Sequence, residues 1–303
     1  MPRVMANGLQ IEVQSLGSPA DPAVLLIMGL GMQLVAWPDE FCNALVAAGF
    51  RVIRFDNRDV GLSEKIDSDL RVNLPLATLR YFLRLPVRAP YSLEAMAADS
   101  IGVLDSLGIE AAHLVGASLG GMIAQTVAAN YPKRCLSLTS IMSSSGDRRL
   151  PTASLKVTRM MLSRPRKNAP PEVLAEHFVR LFQAIGSPGY PVPPAQLRER
   201  LNVGLRRSYH PLGTARQLLA VIASGDRSAQ LRTIGKPTLV VHGAADPLIP
   251  LKHGIDCARK IPGAELKIIE GMGHDLAPGL LPILSQALIA HLRKATAAPA
   301  NRR

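Results

Sequence analysis

Gly116-Ala117-Ser118-Leu119-Gly120 lies between an apolar run, His113-Leu114-Val115, and a helix-forming stretch, Met122-Ile123-Ala124-Gln125-Thr126-Val127. A serine flanked by glycines at that spacing suits a strand-to-helix turn so sharp that the backbones on either side leave no room for side chains. The hydroxyl is then held above the end of a sheet. Alone the pentapeptide says little, because a 303-residue chain with 24 glycines produces such a pattern by accident. The strand before it, Gly121 after it and Tyr131-Pro132 at the end of the helix supply the context it requires.

Strand-length apolar runs alternate with helical periodicity in two separated blocks, the pattern of a mostly parallel sheet covered by helices. In the first block, residues 10–14 predict an edge strand. Residues 23–28 and 51–55 predict buried strands, with a helix over 39–48 closed by Gly49 between them. Ser92 caps a helix that ends at Gly108, and strands follow at 113–115 and 136–142. From about residue 143 strand patterns vanish, prolines and arginines accumulate, and helical segments such as 172–185 and 195–205 succeed one another. Sheet character returns at 237–242 and 264–269, followed by a helix over 278–292 and a frayed tail from Lys294 through Asn301-Arg302-Arg303. The expected division is a core formed by 1–142 and 225–303, with a helical cap at 143–224. No internal repeat is present.

No apolar run approaches the ~18–20 residues needed to span a bilayer, and the first residues lack a charged-then-apolar leader pattern, so a cytoplasmic protein is expected. Cys42, Cys135 and Cys257 are too few and too scattered for a disulfide frame or a metal site. No histidine pair or carboxylate cluster has ligand spacing, and no cofactor is expected. The formal net charge of +12 concentrates at 80–88, 148–167, 198–207 and 301–303, with few interleaved aromatics and no nucleic-acid-binding motif. A solvated basic face, or mild attraction of anionic substrates, is the expectation, with no specific nucleic-acid partner. A homodimer is left open.

A serine hydroxyl is a poor nucleophile at neutral pH and needs an imidazole to take its proton and a carboxylate to orient that imidazole. Asp246, on the loop after the run ending at His242, and His274, in Gly271-Met272-Gly273-His274, are the candidates. Asp56, Asp147 and Asp256 compete as the acid. His113 and His242 fall in or at the end of buried strands, and His177, His210, His253 and His291 lack a partner pattern. The order Ser, Asp, His is that of α/β-hydrolases.

Over essentially its whole length the chain resembles an α/β-hydrolase fold serine hydrolase. Ala36-Trp37-Pro38-Asp39-Glu40-Phe41 and Phe55-Asp56-Asn57-Arg58-Asp59-Val60-Gly61 are similar to methylesterases acting on aclacinomycin-type polyketides, although Asn57 replaces a histidine of that subgroup. The resemblance implies an eight-stranded, mostly parallel sheet with helices on both faces and an inserted cap. It also implies an oxyanion hole made of the backbone N–H groups of Leu119 and Leu30, with Gly31 the second choice for the latter. Met32, Trp37, Met142, Phe182 and Leu248 are candidate pocket residues. Met160, Met161, Leu181, Phe182 and Leu219 are the apolar cap residues expected to set specificity. Residues 56–59 read as a brace for the oxyanion loop.

The implied activity is cleavage of a carboxylic ester of a small, largely hydrophobic substrate through an acyl-enzyme. Lactonase, C–C bond hydrolase, acyltransferase and cofactor-free perhydrolase activities share the same three residues. A non-catalytic receptor or scaffold, or a nucleic-acid or membrane-surface binder, are the readings from other classes.

Overall fold

The computed structural model describes residues 3–70, 72–163 and 170–297. Parts of two basic runs, 164–167 and 301–303, lie outside the described residues. One sheet contains β1 (Arg3–Ala6), β2 (Leu9–Leu16), β3 (Ala23–Ile27), β4 (Arg51–Phe55), β5 (Ala112–Ala117), β6 (Cys135–Ile141), β7 (Thr238–Gly243) and β8 (Glu265–Ile269). Their spatial order is β1-β2-β4-β3-β5-β6-β7-β8, antiparallel at β1–β2 and β2–β4 and parallel elsewhere.

Successive side chains of a strand point to opposite faces, and here both faces are apolar because both are covered. Leu25 and Ile27 join one buried cluster beneath α3 (Leu93–Ser106), α4 (Leu119–Asn130) and α10 (Lys252–Lys260). Val24 and Leu26 join the other, beneath α1 (Asp39–Ala47) and α11 (Leu281–Ala297). Between β6 and β7 the chain leaves the sheet for α5 (Leu155–Leu162), α6 (Pro171–Ile185), α7 (Pro194–Arg207), α8 (Pro211–Ser224) and the short α9 (Ser228–Leu231). A further helix, α2 (Leu74–Phe82), which the sequence marks only as part of a basic run, packs Leu74 and Ala77 against Ala215 and Leu219 of α8.

Two expectations change. The strand at 10–14 is not at an edge, because β1 pairs with it through a two-residue turn, Asn7-Gly8, whose φ values of 50° and 78° allow a tight hairpin. Of the tail expected to fray from Lys294, residues 298–303 lie outside the described residues and the rest is ordered helix. Lys294 to Ala297 continue α11, and Thr296 Oγ1 lies 3.1 Å from His113 Nε2.

His113 itself is enclosed in β5, with Nδ1 2.8 Å from Ser137 Oγ. Burial, with a smaller push from His291, lowers its pKa to about 4 from the ordinary 6.5. The folded state therefore holds this ring neutral while the unfolded chain protonates it. Stability from this group is complete above pH ~6.5 and is lost as pH falls toward 4, by about 3 kcal/mol at ~1.4 kcal/mol per unit. Urea titrations across that window should show the decline. His113→Asn, though less stable at pH 7, should lose a smaller increment over it; an unchanged increment would contradict the assignment.

Candidate active site

The β5–α4 junction has the geometry that its glycines demand. Ser118 adopts φ 56° and ψ −118°, a region costing a non-glycine residue of order 1–3 kcal/mol. A Cβ on Gly116 would stand 2.1 Å from the Gly120 carbonyl oxygen, and one on Gly120 would stand 1.9 Å from that of Ile27. Neither backbone oxygen can retreat, so only glycine fits at either position. The Ser118 N–H donates to Ile141 O at 2.9 Å and the Ser143 hydroxyl donates to Ser118 O at 2.8 Å, pinning the elbow to β6.

Three side chains from three strand ends meet there. Ser118 Oγ lies 3.0 Å from His274 Nε2, and His274 Nδ1 lies 2.7 Å from Asp246 Oδ2. A carboxylate only accepts, so Nδ1 carries the proton and Nε2 is left to accept from the serine hydroxyl. Asp246 Oδ1 is held by the N–H groups of Leu248 and Ile249, at 2.9 and 2.8 Å, which turns Oδ2 toward the histidine. His242 approaches the same oxygen at 3.7 Å but donates its Nε2–H to Ile249 O. Burial lowers its pKa, keeping it neutral.

The competing carboxylates are engaged elsewhere: Asp56 with Arg207 and two N–H groups, Asp147 with Arg149 and Lys260, Asp256 with Ser145 and Lys260.

The β3–α1 loop lies against the serine, since a Cβ on Gly29 would be 3.2 Å from Ser118 Cβ. Among the described residues the Leu30 and Leu119 N–H groups have no acceptor, whereas Gly31 N–H donates to Gln217 Oε1 at 2.9 Å. Asn57, where the subgroup has histidine, donates from its Nδ2–H to Met28 O at 2.9 Å. Asp56 accepts from Leu34 N–H at 2.7 Å. Residues 56 and 57 thus brace this loop from beneath.

The helical insertion holds it from the other side. Gln217 of α8, fully buried, bridges Gly31 N–H and Arg58 O, the latter at 2.9 Å. Arg207 at the end of α7 binds Asp56 Oδ2 and Gln33 Oε1, and Gln33 returns bonds to Gly204 O and Ser208 O. The histidine loop is also seated on the insertion. His274 N–H donates to Ile185 O at 2.7 Å, and Ser187 Oγ accepts from Gly273 N–H while donating to Asp275. Burial raises the Asp275 pKa against the lowering effect of that hydroxyl. Gln217, Gln33, Arg207 and Ser187 were absent from the candidates read from sequence, because no local pattern marks a polar residue whose partner lies far along the chain.

The candidate pocket residues separate into two groups. Trp37 is fully buried and stacked on Phe41, and Met142 and Met32 pack with it on the sheet side. Phe182 and Leu248 meet in an apolar cluster with Met160, Met161, Leu181 and Ile185 under α5 and α6. Leu219 belongs with neither, because it faces α2. Among the described residues no three His, Cys, Asp or Glu side chains group so as to hold a metal ion.

Gln217→Leu removes the acceptor that orients the Leu30–Gly31 peptide. Steady-state kinetics on a hydrolysed ester should show kcat reduced ~10- to 100-fold with KM nearly unchanged, since the loss falls on charge developing in the transition state. Gln217→Glu keeps an acceptor for Gly31 N–H but offers Arg58 O no donor, and should retain more of kcat than Gln217→Leu. Equal losses in the two variants would point to folding instead.

The family model described as alpha/beta hydrolase fold matches residues 22–277. Rhodomycin D methylesterase DnrP of Streptomyces peucetius is 32% identical, with 98% of this chain and 100% of the relative covered. Rhodomycin D methylesterase DauP of Streptomyces sp. (strain C5) is also 32% identical, covering 93% of this chain and 95% of the relative. A meta-cleavage product hydrolase from Pseudomonas fluorescens IP01 shares the fold, with a TM-score of 0.76 at 18% identity over 97% of this chain and 98% of that one. With the strand order and the nucleophile elbow already described, these matches show that the chain belongs to the alpha/beta hydrolase fold family.

Proposed function

We propose that this protein is a serine hydrolase that cleaves a carboxylic ester of a small, largely hydrophobic substrate through an acyl-enzyme. The observation that carries the reading is the unbroken hydrogen-bonded chain from Ser118 Oγ through His274 to Asp246, on a strained elbow. Ser118 Oγ attacks the ester carbonyl as its proton passes to His274 Nε2, and Asp246 steadies the imidazolium. The N–H groups of Leu30 and Leu119 receive the charge that develops on the carbonyl oxygen. Collapse of the tetrahedral adduct breaks the bond to the alkoxide, which takes the proton from His274. Water then enters by the same route, releasing the acid and restoring Ser118.

In this reading residues 143–224 form a cap over a core made of 1–142 and 225–303, and Phe182 with Leu248 supplies an apolar wall. The contacts of α8 with the loop of Gly31, and of residues 185–187 with the loop of His274, support this reading. The two methylesterase relatives, matched along nearly the whole chain, favour a methyl ester of a hydrophobic acid as substrate. Among the described residues no helix is long and apolar enough to cross a membrane. The cytoplasm is the proposed location. Every group in the mechanism comes from one chain, so a homodimer is not required.

A fluorophosphonate probe should add once, and mass spectrometry should find it on the peptide containing Ser118. Methyl and p-nitrophenyl esters of graded acyl length should be hydrolysed. Ser118→Ala and His274→Ala should each lower kcat at least ~10³-fold, and Asp246→Asn somewhat less. Labelling of another serine, such as Ser143, or full activity in Ser118→Ala would overturn the assignment.

A further inference from the structure

The basic run at 80–88 takes no part in the active site described above. From Leu70 to Leu93 the chain contains no Asp or Glu, while Arg80, Arg84 and Arg88 all fall within it. The helix at its centre, α2, spends its inner face on α8 through Leu74 and Ala77. Its outer side is nonetheless apolar. Leu76, Leu79 and Leu83 follow one another at helical spacing and are 49, 55 and 59% exposed, and the neighbouring Phe82 and Leu85 are 66 and 46% exposed. Arg84 and Arg88 are exposed beside them, and the exposed Arg148 places its guanidinium 4.3 Å from the centre of the Tyr81 ring.

A solvent-facing helix normally carries polar residues on the side away from the core. An apolar outer face ringed by cations is instead the pattern of a segment lying in a charged interface. We propose that α2 and the turn after it, residues 76–88, form a docking face for the surface of an anionic phospholipid bilayer. The leucines and Phe82 enter the boundary between headgroups and acyl chains, while Arg84, Arg88 and Arg148 meet the lipid phosphates. Each arginine near such a surface adds to the attraction, which salt weakens. Charge selects this occupant. A second copy of the chain would bring the same positive rim against itself, and juxtaposed like charges disfavour that pairing. A nucleic acid would satisfy the arginines but leave five large apolar side chains in water. The inference stands on α2, the turn after it and Arg148, and does not depend on which bond the active site cleaves.

The test is flotation of the full-length chain with vesicles of phosphatidylcholine, and of phosphatidylcholine containing about a quarter phosphatidylglycerol. The protein should rise with the anionic vesicles only, and less as salt increases. Leu79→Glu with Phe82→Glu, and separately Arg84→Glu with Arg88→Glu, should each weaken binding at least ~tenfold. Hydrolysis of a soluble ester and the far-ultraviolet spectrum should stay unchanged, which distinguishes lost docking from lost folding. Equal flotation with both vesicle types, or no loss in either double variant, would overturn the proposal. So would a solution dimer dissolved by Leu79→Glu, or DNA binding that survives the Leu79→Glu/Phe82→Glu change.

Discussion

The chain turns from β5 into α4 within one residue, and the space which that turn denies to side chains governs the rest of the site. Gly120 sits so close to the Ile27 carbonyl, and Gly116 so close to Gly120, that backbone lies directly on backbone. This closeness brings the end of β3 alongside the elbow and sets Gly29 against Ser118. It therefore fixes where the loop of Leu30 starts. Ser118 keeps its unfavourable φ because Ile141 at the end of β6 holds its N–H and Ser143 just beyond holds its carbonyl, so the strain is over-determined by its surroundings. A wider turn would relax the serine, lower the hydroxyl toward the sheet and part it from His274.

Those steric facts place the serine, but the loops around it need other anchors. Asn57 and Asp56 brace the loop of Leu30 from the core, while Gln217 and Arg207 brace it from the insertion. The loop of His274 rests on residues 185–187. Two of the three converging parts are thus held partly by helices outside the sheet. A half-satisfied buried polar network destabilises, and this one is satisfied only while insertion and core stay in register.

What could be read from sequence was local. The elbow was legible because a strand, a five-residue turn and a helix are contiguous, and Asp246 because it stands on the loop just beyond a buried strand-length run. Residues 51–55 were legible as a strand because an apolar run bounded by turns has few alternatives. Asn7-Gly8 carried an equally local hairpin signal, and β1 follows from it, yet a four-residue strand with only Ala6 buried has little apolar pattern to mark it. Leu219 shows the opposite limit. Its spacing says that it is buried, but burial against α2 or against Phe182 leaves the same trace in the sequence. Gln217 is beyond such reading altogether, since 186 residues separate it from Gly31 and only the assembled topology brings them together.

The bridge made by Gln217 ties the helical insertion to the loop that follows β3 and to the segment after β4 at once. Shuffling such insertions between relatives is an obvious route to new substrates, and here a graft would exchange more than the pocket wall. A foreign α8 without an amide at this depth would leave Gly31 N–H without its acceptor and Arg58 O without its donor. Transplants that respect this one side chain would keep the loop beside Ser118 seated; those that ignore it would loosen that loop, whatever else they bring.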